Sequence, residues 1–456
     1  MTSASVAVSN GIKRLAYHDS LTNLPNRINF ESALHAGAGT SSSGVVKHAV
    51  LFIDLDRFKS INDTYGHGIG DKLLVVIAKR LLDTCSSSDL VARLGGDEFG
   101  IFLKDIESED QVETLALSLV SSIVSDVKID DLYLKVGASI GISISPEDSD
   151  CGIELLRNAD IAMYHCKQSQ SGGVYRFNRT IGGNYDKRLT LELELKSGIE
   201  NKELIVFYQP KVCTRTNRVK GVEALLRWQH PERGFISPAD FIPIAEESGL
   251  MGSIGAWVMD QACKELAEIE KIHNLGIHVA VNISAQQFKD EKFTDSVHAA
   301  IKRNGLTYEK LELEVTESLV MHDISRVISM LKGLKDSGIK IAIDDFGTGY
   351  SSLQYLQELP LNTLKIDRAF ILALDENEDQ TSVADSIVQL ARLFNLETVA
   401  EGVETDSQDA KIRALGVDQI QGFRYSKPVP AQLLPDIVKE INRCSYGDGK
   451  ESIKAA

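Results

Sequence analysis

The chain has 456 residues, of which 43% are hydrophobic and 25% are charged, and its formal net charge is −16 at pH 7. A chain of this length predicts two or three domains, each with enough apolar side chains for a large core. The acidic balance argues against a nucleic-acid polymer as partner, because that role needs basic surface to neutralise phosphates. We find neither a signal peptide nor an apolar run of ~18 residues, and we therefore expect a cytoplasmic chain without a membrane segment.

The first half of the chain predicts an α/β domain. We expect a lead-in helix over residues 1–18 and the domain itself over residues 19–177. Apolar runs and helical periodicity predict its elements in chain order: strand 49–54, helix 71–82, strands 90–94 and 99–103, strand 132–144 and helix 153–167. Gly95-Gly96 separates two apolar runs and therefore predicts a β-hairpin. A polar, glycine-rich stretch follows, and we place a linker at residues 178–188.

A second domain is predicted over residues 189–444, followed by a tail over residues 445–456. It opens with a helix at 189–199, and then short apolar runs that end in polar or acidic residues alternate with helical stretches. The runs are residues 222–227, 279–282, 311–317, 339–345, 363–367, 398–401 and 419–422. This alternation over about 250 residues is typical of a (β/α)₈ barrel, whose active site lies at the carboxyl ends of the strands. Crowded carboxylates repel one another, so the acids that recur at those ends predict a metal site.

These strand ends resemble those of the EAL family of cyclic di-GMP phosphodiesterases. The motif that names the family is Glu223-Ala224-Leu225, which is a weak signal by itself. Further motifs follow the family's order between residues 190 and 440, and they make the resemblance specific. They are Tyr208-Gln209-Pro210, Asn282-Ile283-Ser284, Glu314-Val315-Thr316-Glu317, Asp344-Asp345-Phe346-Gly347-Thr348-Gly349, Leu364-Lys365-Ile366-Asp367, Ala400-Glu401-Gly402-Val403-Glu404 and Gln421-Gly422-Phe423. The resemblance implies a TIM-like (β/α)₈ barrel.

The resemblance also implies that two divalent metal ions, Mg²⁺ or Mn²⁺, take part in hydrolysis of cyclic di-GMP to linear pGpG. Such hard cations prefer carboxylate and amide oxygens. The residues implied to hold the first metal are Glu223, Asn282, Glu314 and Asp344. Asp345 and Glu401 complete the second site, with Asp344 near both metals. Lys365 is implied to position or deprotonate the attacking water and to offset phosphoryl charge.

Other positions are implied to contact the substrate or a loop. The substrate-binding residues are Gln209, Arg227, Glu404 and Gln421, and the planar fork of the arginine suits a phosphate. Glu317 is implied to anchor the loop that follows Asp345, over residues 346–353. A simple salt bridge at the barrel mouth is the alternative interpretation of Glu317.

The first domain resembles the GGDEF family of diguanylate cyclases, which condense two GTP molecules. Its signature, Gly95-Gly96-Asp97-Glu98-Phe99, lies on the predicted hairpin. The supporting motifs start at Asp19, Asp54, Gly66 and Ala159. The resemblance implies that Asp54, Asp97 and Glu98 hold one or two Mg²⁺ with the triphosphate of GTP. It also implies that Lys59 and Lys167 contact phosphates, and that Asn62 and Asp71 read the guanine.

Two positions of the first domain depart from the family. Ser86 stands where an arginine of the inhibitory product site is expected, and Ser171 stands where a phosphate-contacting arginine is usual. Cyclisation also needs two such domains that face each other, and the short lead-in predicts no means of arranging that pair. We therefore expect a GTP-binding domain that regulates the other half.

Three hypotheses for the whole chain remain open. The leading one is a cyclic di-GMP phosphodiesterase regulated by its GTP-binding domain. The second is a bifunctional diguanylate cyclase and phosphodiesterase. The third is a non-catalytic receptor for cyclic di-GMP, although such receptors usually lose metal ligands that this chain retains. By resemblance we expect a homodimer formed through the EAL domain.

Overall fold

The computed structural model describes residues 16–37, 47–169, 172–320, 324–347, 353–374 and 378–444. Most of the predicted lead-in helix and the whole predicted tail lie outside the described residues, as do Ser171 and the centre of the predicted loop at 346–353. The chain divides into two compact units, Met1–Leu189 and Thr190–Ala456. Among the helices of the described residues, none combines the length and apolar character that a bilayer crossing requires.

The first unit is built on a five-stranded sheet with the order β2-β3-β1-β6-β7. Its strands, including the separate β4–β5 pair, are β1 (His48–Asp56), β2 (Leu90–Gly95), β3 (Glu98–Leu103), β4 (Val127–Ile129), β5 (Leu132–Leu134), β6 (Gly137–Ser145) and β7 (Gly173–Arg176). Its helices are α1 (Arg27–Gly37), α2 (Phe58–Tyr65), α3 (His67–Thr84), α4 (Glu109–Val124) and α5 (Gly152–Ser169). The predicted α/β class of this unit is confirmed.

Strand β1 lies at the centre of this sheet and is buried on both faces. Leu51 and Ile53 belong to a core that also contains residues of α3 and α4, whereas Val50 and Phe52 belong to a core with residues of α1 and α5. Burial on both faces explains why β1 is a continuous apolar run instead of an alternating one. The same strand therefore positions its final carboxylates between two helical layers.

The predicted hairpin around Gly95-Gly96 is confirmed, but the predicted strand 132–144 is wrong in one respect. Residues 132–134 pair with β4 in a separate hairpin, and β6 begins only at Gly137. Gly137 begins β6 opposite Asp56, whose carboxylate lies so close that a Cβ at this glycine would be 2.6 Å from Oδ2. The break therefore lies where β6 first meets β1.

One helix, α6 (Arg179–Glu200), covers both the polar stretch predicted as a linker and the helix predicted at 189–199. Its first turn is anchored by Ile181, which packs in a small buried cluster with Ile161, Ala162 and Phe177. This anchoring explains why glycine-rich residues that favour a loop by composition are helical here. The composition of the stretch did not reveal those tertiary contacts.

The second unit is a closed barrel of eight strands surrounded by helices. The strands, including two short outer ones, are β8 (Leu204–Cys213), β9 (Val219–His230), β10 (Gly234–Ile236), β11 (His278–Ile283), β12 (Leu311–Thr316), β13 (Lys340–Phe346), β14 (Thr363–Ile366), β15 (Glu397–Ala400), β16 (Gln419–Gln421) and β17 (Val429–Pro430). The helices are α7 (Pro238–Glu247), α8 (Met251–His273), α9 (Ala285–Lys289), α10 (Phe293–Asn304), α11 (Glu317–Val320), α12 (Ile324–Asp336), α13 (Leu353–Glu358), α14 (Arg368–Ala373), α15 (Glu378–Leu393), α16 (Asp406–Leu415) and α17 (Leu434–Cys444).

The barrel closes in the order β9-β11-β12-β13-β14-β15-β16-β8, with β8 pairing back to β9. Strand β8 runs antiparallel to both neighbours, whereas each of the other barrel strands is parallel to the next. Only residues 214–218 connect β8 to β9, and so short a connection forces the two strands to run antiparallel. The predicted TIM-like barrel is confirmed, with one reversed strand that the run pattern did not indicate.

Candidate active site

Inward-facing side chains of the barrel strands carry most of the residues implied at the sequence level. Glu223 lies on β9, Asn282 on β11, Glu314 on β12, Asp344 on β13 and Lys365 on β14. Side chains alternate between the two faces of a strand, so these residues share the barrel interior while their neighbours pack against the helices. The fold therefore brings together residues that are far apart in the chain.

The ammonium of Lys365 lies at the centre of four carboxylates. Its Nζ is 2.8 Å from Glu314 Oε2, 2.9 Å from Asp344 Oδ2, 2.6 Å from Glu401 Oε1 and 3.7 Å from Glu223 Oε2. Lys365 is 1% exposed, so water screens these contacts little. We call these four carboxylates the carboxylate ring.

Glu401 reaches the ring from the residue after β15. Its backbone N–H donates a 3.1 Å hydrogen bond to the carbonyl of Ile366, at the end of the adjacent strand β14. The backbone is thereby held at the carboxyl end of the barrel. This position agrees with the rule that barrel strands present functional side chains at that end.

Two carboxamides hold the Glu223 carboxylate. Asn282 Nδ2 donates to Oε1 at 2.7 Å, and Gln421 Nε2 donates to Oε2 at 2.5 Å. Gln421 also lies 3.1 Å from Gln209 Oε1, and Gln209 in turn donates to the carbonyl of Ser426 at 3.1 Å. The residues implied to contact metal and substrate thus form one connected set on this side of the mouth.

The ring carries more negative charge than its single ammonium neutralises. Burial, together with the charge of Glu314, raises the pKa of Glu223 to about 7. Burial and the charges of Asp344 and Glu223 raise the pKa of Glu401 to about 8, although Lys365 opposes the shift. A site with oxygen donors and excess negative charge fits divalent cations such as Mg²⁺ or Mn²⁺.

The described part of the chain contains no group of three or more His, Cys, Asp or Glu side chains already arranged around a metal position. The ring carboxylates are directed at the Lys365 ammonium instead. The residues present still fit the implied metals, because the donor set consists of carboxylates and one carboxamide on adjacent strands.

A β-bulge separates the two consecutive aspartates at the end of β13. The pairing with β14 shifts register between Ile343 and Phe346, and Asp345 has a left-handed φ of 54°. The Asp345 N–H donates to Asp344 Oδ1 at 2.9 Å, and burial and the Asp344 charge raise the pKa of Asp345. Bulges re-aim side chains next to active sites, and this one directs two neighbouring carboxylates differently.

Glu317 begins α11 directly after β12 and is buried. Its Oε2 accepts a 3.2 Å hydrogen bond from the N–H of Gly347, which follows the bulge of β13. The contact joins Glu317 to the start of the predicted loop; residues 348–352 of that loop lie outside the described part.

The two remaining implied substrate residues, Arg227 and Glu404, have different surroundings. The guanidinium of Arg227 is half-buried over the Phe207 ring, at 5.9 Å from its centroid, and burial lowers the arginine's pKa. Glu404 is exposed and pairs with Arg368 at 2.7 Å instead of joining the ring. The fold thus brings Arg227 close to the mouth but directs Glu404 to another partner.

A second layer of buried polar side chains lies inside the barrel next to the ring, and the motifs did not indicate it. We call Lys211, His278, Glu312 and Thr363 the lower layer; all four are buried. Lys211 Nζ lies 3.0 Å from Glu312 Oε2 and 2.5 Å from Glu314 Oε1. Strand alternation could have indicated this layer. Lys211 is two residues from Gln209 and Glu312 is two residues from Glu314, so each pair points to the same face of its strand.

In the first unit, the implied metal ligands meet across two antiparallel strands. Asp54 on β1 lies directly opposite Glu98 on β3, and Asp97 occupies the turn between β2 and β3. Lys167 Nζ is 2.5 Å from Asp54 Oδ1, and Arg27 is 3.0 Å from Glu98. Burial, partly offset by Lys167 and reinforced by Asp97 and Glu98, raises the pKa of Asp54 to about 6.

The implied guanine readers lie on the next two helices. Asn62 on α2 packs against Gly70 of α3 so closely that a Cβ at Gly70 would overlap Asn62 Oδ1. That oxygen is buried and has no hydrogen-bond partner among the described residues. Asp71 and Lys59 are exposed. An unpartnered buried carboxamide oxygen fits a position that a ligand donor would satisfy.

Comparison with known proteins supports both of the family resemblances that the sequence motifs indicated. The family model for the EAL domain matches residues 192–428, and that for the diguanylate cyclase GGDEF domain matches residues 16–172. The bifunctional diguanylate cyclase/cyclic di-GMP phosphodiesterase MucR of Pseudomonas aeruginosa is 42% identical over 421 residues, covering 92% of this chain and 61% of that protein. The cyclic di-GMP phosphodiesterase NbdA of the same organism is 35% identical over 430 residues, covering 94% of this chain and 54% of that protein.

Solved structures extend the comparison. The PaMucR phosphodiesterase in complex with c-di-GMP is 44% identical with a TM-score of 0.53, covering 54% of this chain and 99% of that one. The S helix-GGDEF-EAL structure of Vibrio cholerae LapD bound to c-di-GMP is 19% identical with a TM-score of 0.56, covering 92% and 98%, and it supports the fold alone. This chain therefore belongs to the EAL domain family and carries a GGDEF domain ahead of the EAL domain, in a tandem GGDEF–EAL arrangement.

Proposed function

We propose that this chain is a phosphodiesterase that hydrolyses cyclic di-GMP to linear pGpG at the barrel mouth, with two divalent cations, Mg²⁺ or Mn²⁺. The observation that carries the proposal is the carboxylate ring around Lys365 at the carboxyl ends of parallel strands. Support comes from the MucR phosphodiesterase structure, which is 44% identical and contains c-di-GMP. The chain spans 61% of the length of MucR and 54% of the length of NbdA.

The donor set divides between two cations. Glu223, Asn282, Glu314 and Asp344 would hold one, and Asp345 and Glu401 would complete the other, with Asp344 near both. Bound divalent cations supply a water that is nucleophilic near neutral pH and positive charge for the phosphoryl oxygens.

Side chains of the protein position the metal ligands and the substrate. Lys365 carries its proton on Nζ between Asp344 and Glu401, where it keeps both carboxylates turned into the mouth. The fork of Arg227 suits two phosphodiester oxygens. Gln209 and Gln421 are oriented by each other for contact with the substrate.

A contact from Glu404 to the substrate requires that its pair with Arg368 opens.

Incubation of the full chain with cyclic di-GMP and Mg²⁺ or Mn²⁺, followed by chromatography, tests the proposal. We expect pGpG from the wild type and at least a ~100-fold slower rate from Glu401→Gln, because metal-ion catalysis supplies several kcal/mol. Glu397→Gln is a matched control, since Glu397 begins the same strand β15 and pairs with the exposed Lys220 at 3.1 Å. No pGpG from the wild type, or equal rates in the two variants, would refute the proposal.

A bifunctional enzyme is the second candidate, and the GGDEF site favours it. We infer that Asp54, Asp97 and Glu98 would hold one or two Mg²⁺ with GTP, and that Lys59, Asn62, Asp71 and Lys167 would contact the nucleotide. Support comes from the direct pairing of Asp54 with Glu98 and from the bifunctional relative MucR. Cyclic di-GMP formed from GTP by the wild type but not by Asp97→Ala would establish this second activity.

Regulation of hydrolysis by GTP, a homodimer through the EAL domain and a cytoplasmic location stay predictions. A hydrolysis assay with and without GTP tests the first. Sedimentation of the full chain tests the second, and a tagged chain followed through cell fractionation tests the third.

A further inference from the structure

The lower layer is a network of buried groups, and one of its members, Lys211, contacts the carboxylate ring. Glu312 Oε1 accepts a 2.7 Å hydrogen bond from Thr363, and Glu312 Oε2 lies 3.3 Å from His278 Nε2 and 3.0 Å from Lys211 Nζ. Lys211, which is 0% exposed, then reaches Glu314 Oε1. Glu312 is thus held from three sides, and through it the position of Lys211 is determined.

The glycine at position 221 makes room for this network. A Cβ at Gly221 would overlap the ring of His278, which lies opposite it in the parallel pairing of β9 with β11. Glu312 is 2% exposed, and an unpaired carboxylate at such a position is strongly destabilising. Burying the Glu312 carboxylate is costly, yet both of its oxygens have partners. We infer that Glu312 fixes the positions of the side chains around it.

Glu314 joins the lower layer to the ring, because its two oxygens contact the ammonium groups of two different lysines. Oε1 lies 2.5 Å from Lys211, in the lower layer, and Oε2 lies 2.8 Å from Lys365, at the mouth. A carboxylate held at one oxygen cannot rotate freely about its terminal torsion. Only Oε2 is therefore presented to the mouth.

Charge and geometry make opposite predictions for Lys211. A positive side chain beside a metal ligand weakens a cation site by Coulomb repulsion. Here the charge of Lys211 is balanced by Glu312 at 3.0 Å, so the pair adds little net charge to the site. The main effect of Lys211 on the site is therefore to hold the Glu314 carboxylate in position. Groups that hydrogen-bond to metal ligands typically contribute 10–100-fold to metal affinity.

We propose that Lys211 is a positioning residue that fixes which oxygen of Glu314 faces the barrel mouth, where Glu314 would hold a metal, with Glu312 as the counter-ion that holds Lys211 in place. This inference rests on the proposed function, because it assigns a supporting residue to that metal site. It predicts that loss of Lys211 weakens metal binding even where the fold is restored.

The experiment measures binding of Mn²⁺ alone to the full chain, from the electron paramagnetic resonance signal of free Mn²⁺. The Mn²⁺ bound by the wild type but not by Glu314→Gln reports the barrel site. We expect Lys211→Met to bind this Mn²⁺ about 10-fold or more weakly. Tyr208→Phe is the matched control, since it lies on the outward face of the same strand and loses a 2.5 Å hydrogen bond to Glu265. It should lose stability and keep its Mn²⁺ affinity.

A double variant separates positioning from folding. Lys211→Met leaves Glu312 buried without its counter-ion, and the double variant Lys211→Met/Glu312→Gln removes both charges. We expect the double variant to recover the thermal unfolding midpoint but to bind Mn²⁺ as weakly as the single variant. Recovery of Mn²⁺ affinity in the double variant, or wild-type affinity in Lys211→Met, would overturn the positioning role while leaving the metal site in place. Unchanged Mn²⁺ binding in Glu314→Gln would overturn the metal site itself.

Discussion

Asn282 and Glu223 are 59 residues apart in the chain, yet Asn282 Nδ2 donates a 2.7 Å hydrogen bond to Glu223 Oε1 across the parallel pair β9–β11. Asn282→Asp replaces this donor with a second carboxylate. At pH 8, above the pKa of about 7 of Glu223, we expect the metal-free second unit to lose about 1–3 kcal/mol in free energy of unfolding, because a hydrogen bond is lost and two negative charges are brought together.

Thermal unfolding followed by tryptophan fluorescence measures this effect. The chain has two tryptophans, and both Trp228 and Trp257 lie in the second unit. Added Mn²⁺ should reduce the loss in Asn282→Asp, since a bound cation offsets the repulsion. An equal loss with and without Mn²⁺ would contradict the assignment of both residues to one metal.

The raised pKa values of two ring carboxylates predict how metal-free stability depends on pH. The pKa of Glu401 is about 8 and that of Glu223 about 7 because of burial, so each folded side chain keeps a proton that the unfolded chain releases near its usual pKa of 4.5. Folding then takes up protons above pH ~4.5. The free energy of unfolding should therefore be highest below pH ~4.5 and fall as the pH rises from there through the folded pKa values of about 7 and about 8. In EDTA, the unfolding midpoint should be lower at pH 8 than at pH 6.

Divalent cations should reverse that trend, since they compete with the same protons. Mn²⁺ should therefore raise the fluorescence-detected midpoint more at pH 8 than at pH 6. A midpoint in EDTA that rises between these pH values would show that the ring carboxylates are ionised in the metal-free fold.

Gly70 controls the space around Asn62 in the first unit. We expect Gly70→Ala to displace the Asn62 carboxamide, because a Cβ there would overlap Oδ1, and to weaken GTP binding about 10-fold by misplacing a guanine contact. Fluorescence titration with a GTP analogue that carries a reporter group measures the affinity.

Gly68→Ala supplies the control on the same helix, since nothing lies within 4 Å of its Cβ position. It should keep GTP affinity, and it should stabilise α3 slightly because alanine favours a helix over glycine by about 1 kcal/mol. Equal affinities in the two variants would remove Asn62 from the nucleotide site.

Gly141 sets the approach of β6 to α5. A Cβ at this position would overlap the carbonyl of Ala159 and the amide of Met163, both backbone groups. Gly141→Ala should destabilise the first unit by at least 1–3 kcal/mol, roughly the usual cost of overpacking, since a backbone adapts less easily than a side chain. Thermal unfolding followed by far-ultraviolet circular dichroism measures the change.

Gly183→Ala on α6 is the corresponding control, because its Cβ position is open. We expect it to be neutral or slightly stabilising. Similar midpoints for Gly141→Ala and Gly183→Ala would mean that β6 and α5 can separate at little cost.

The sequence was sufficient for the fold class and the carboxylate ring because both are encoded locally. Glu223, Glu314 and Lys365 each lie in a short apolar run, and barrel topology alone brings the ends of such runs together. The roles of individual residues remain predictions until variants are assayed.

What the sequence did not predict depends on contacts between distant residues. Lys211 meets Glu312 and Glu314 across separations of 101 and 103 residues, which only barrel closure defines. The bulge at Asp345 depends on the pairing of β13 with β14 and has no composition signal.

The reversed direction of β8 also determines where the chain enters the barrel. When all strands of a barrel are parallel, the first one starts at the end opposite the active site. Here Leu204 starts β8 beside Trp228, near the carboxyl end of β9, and the Trp228 indole donates to Glu203 at 3.0 Å. Helix α6 thus delivers the chain to the mouth itself. The chain therefore enters the barrel at the end that carries the carboxylate ring, and β8 runs from there into the barrel, with Gln209 opposite Glu223.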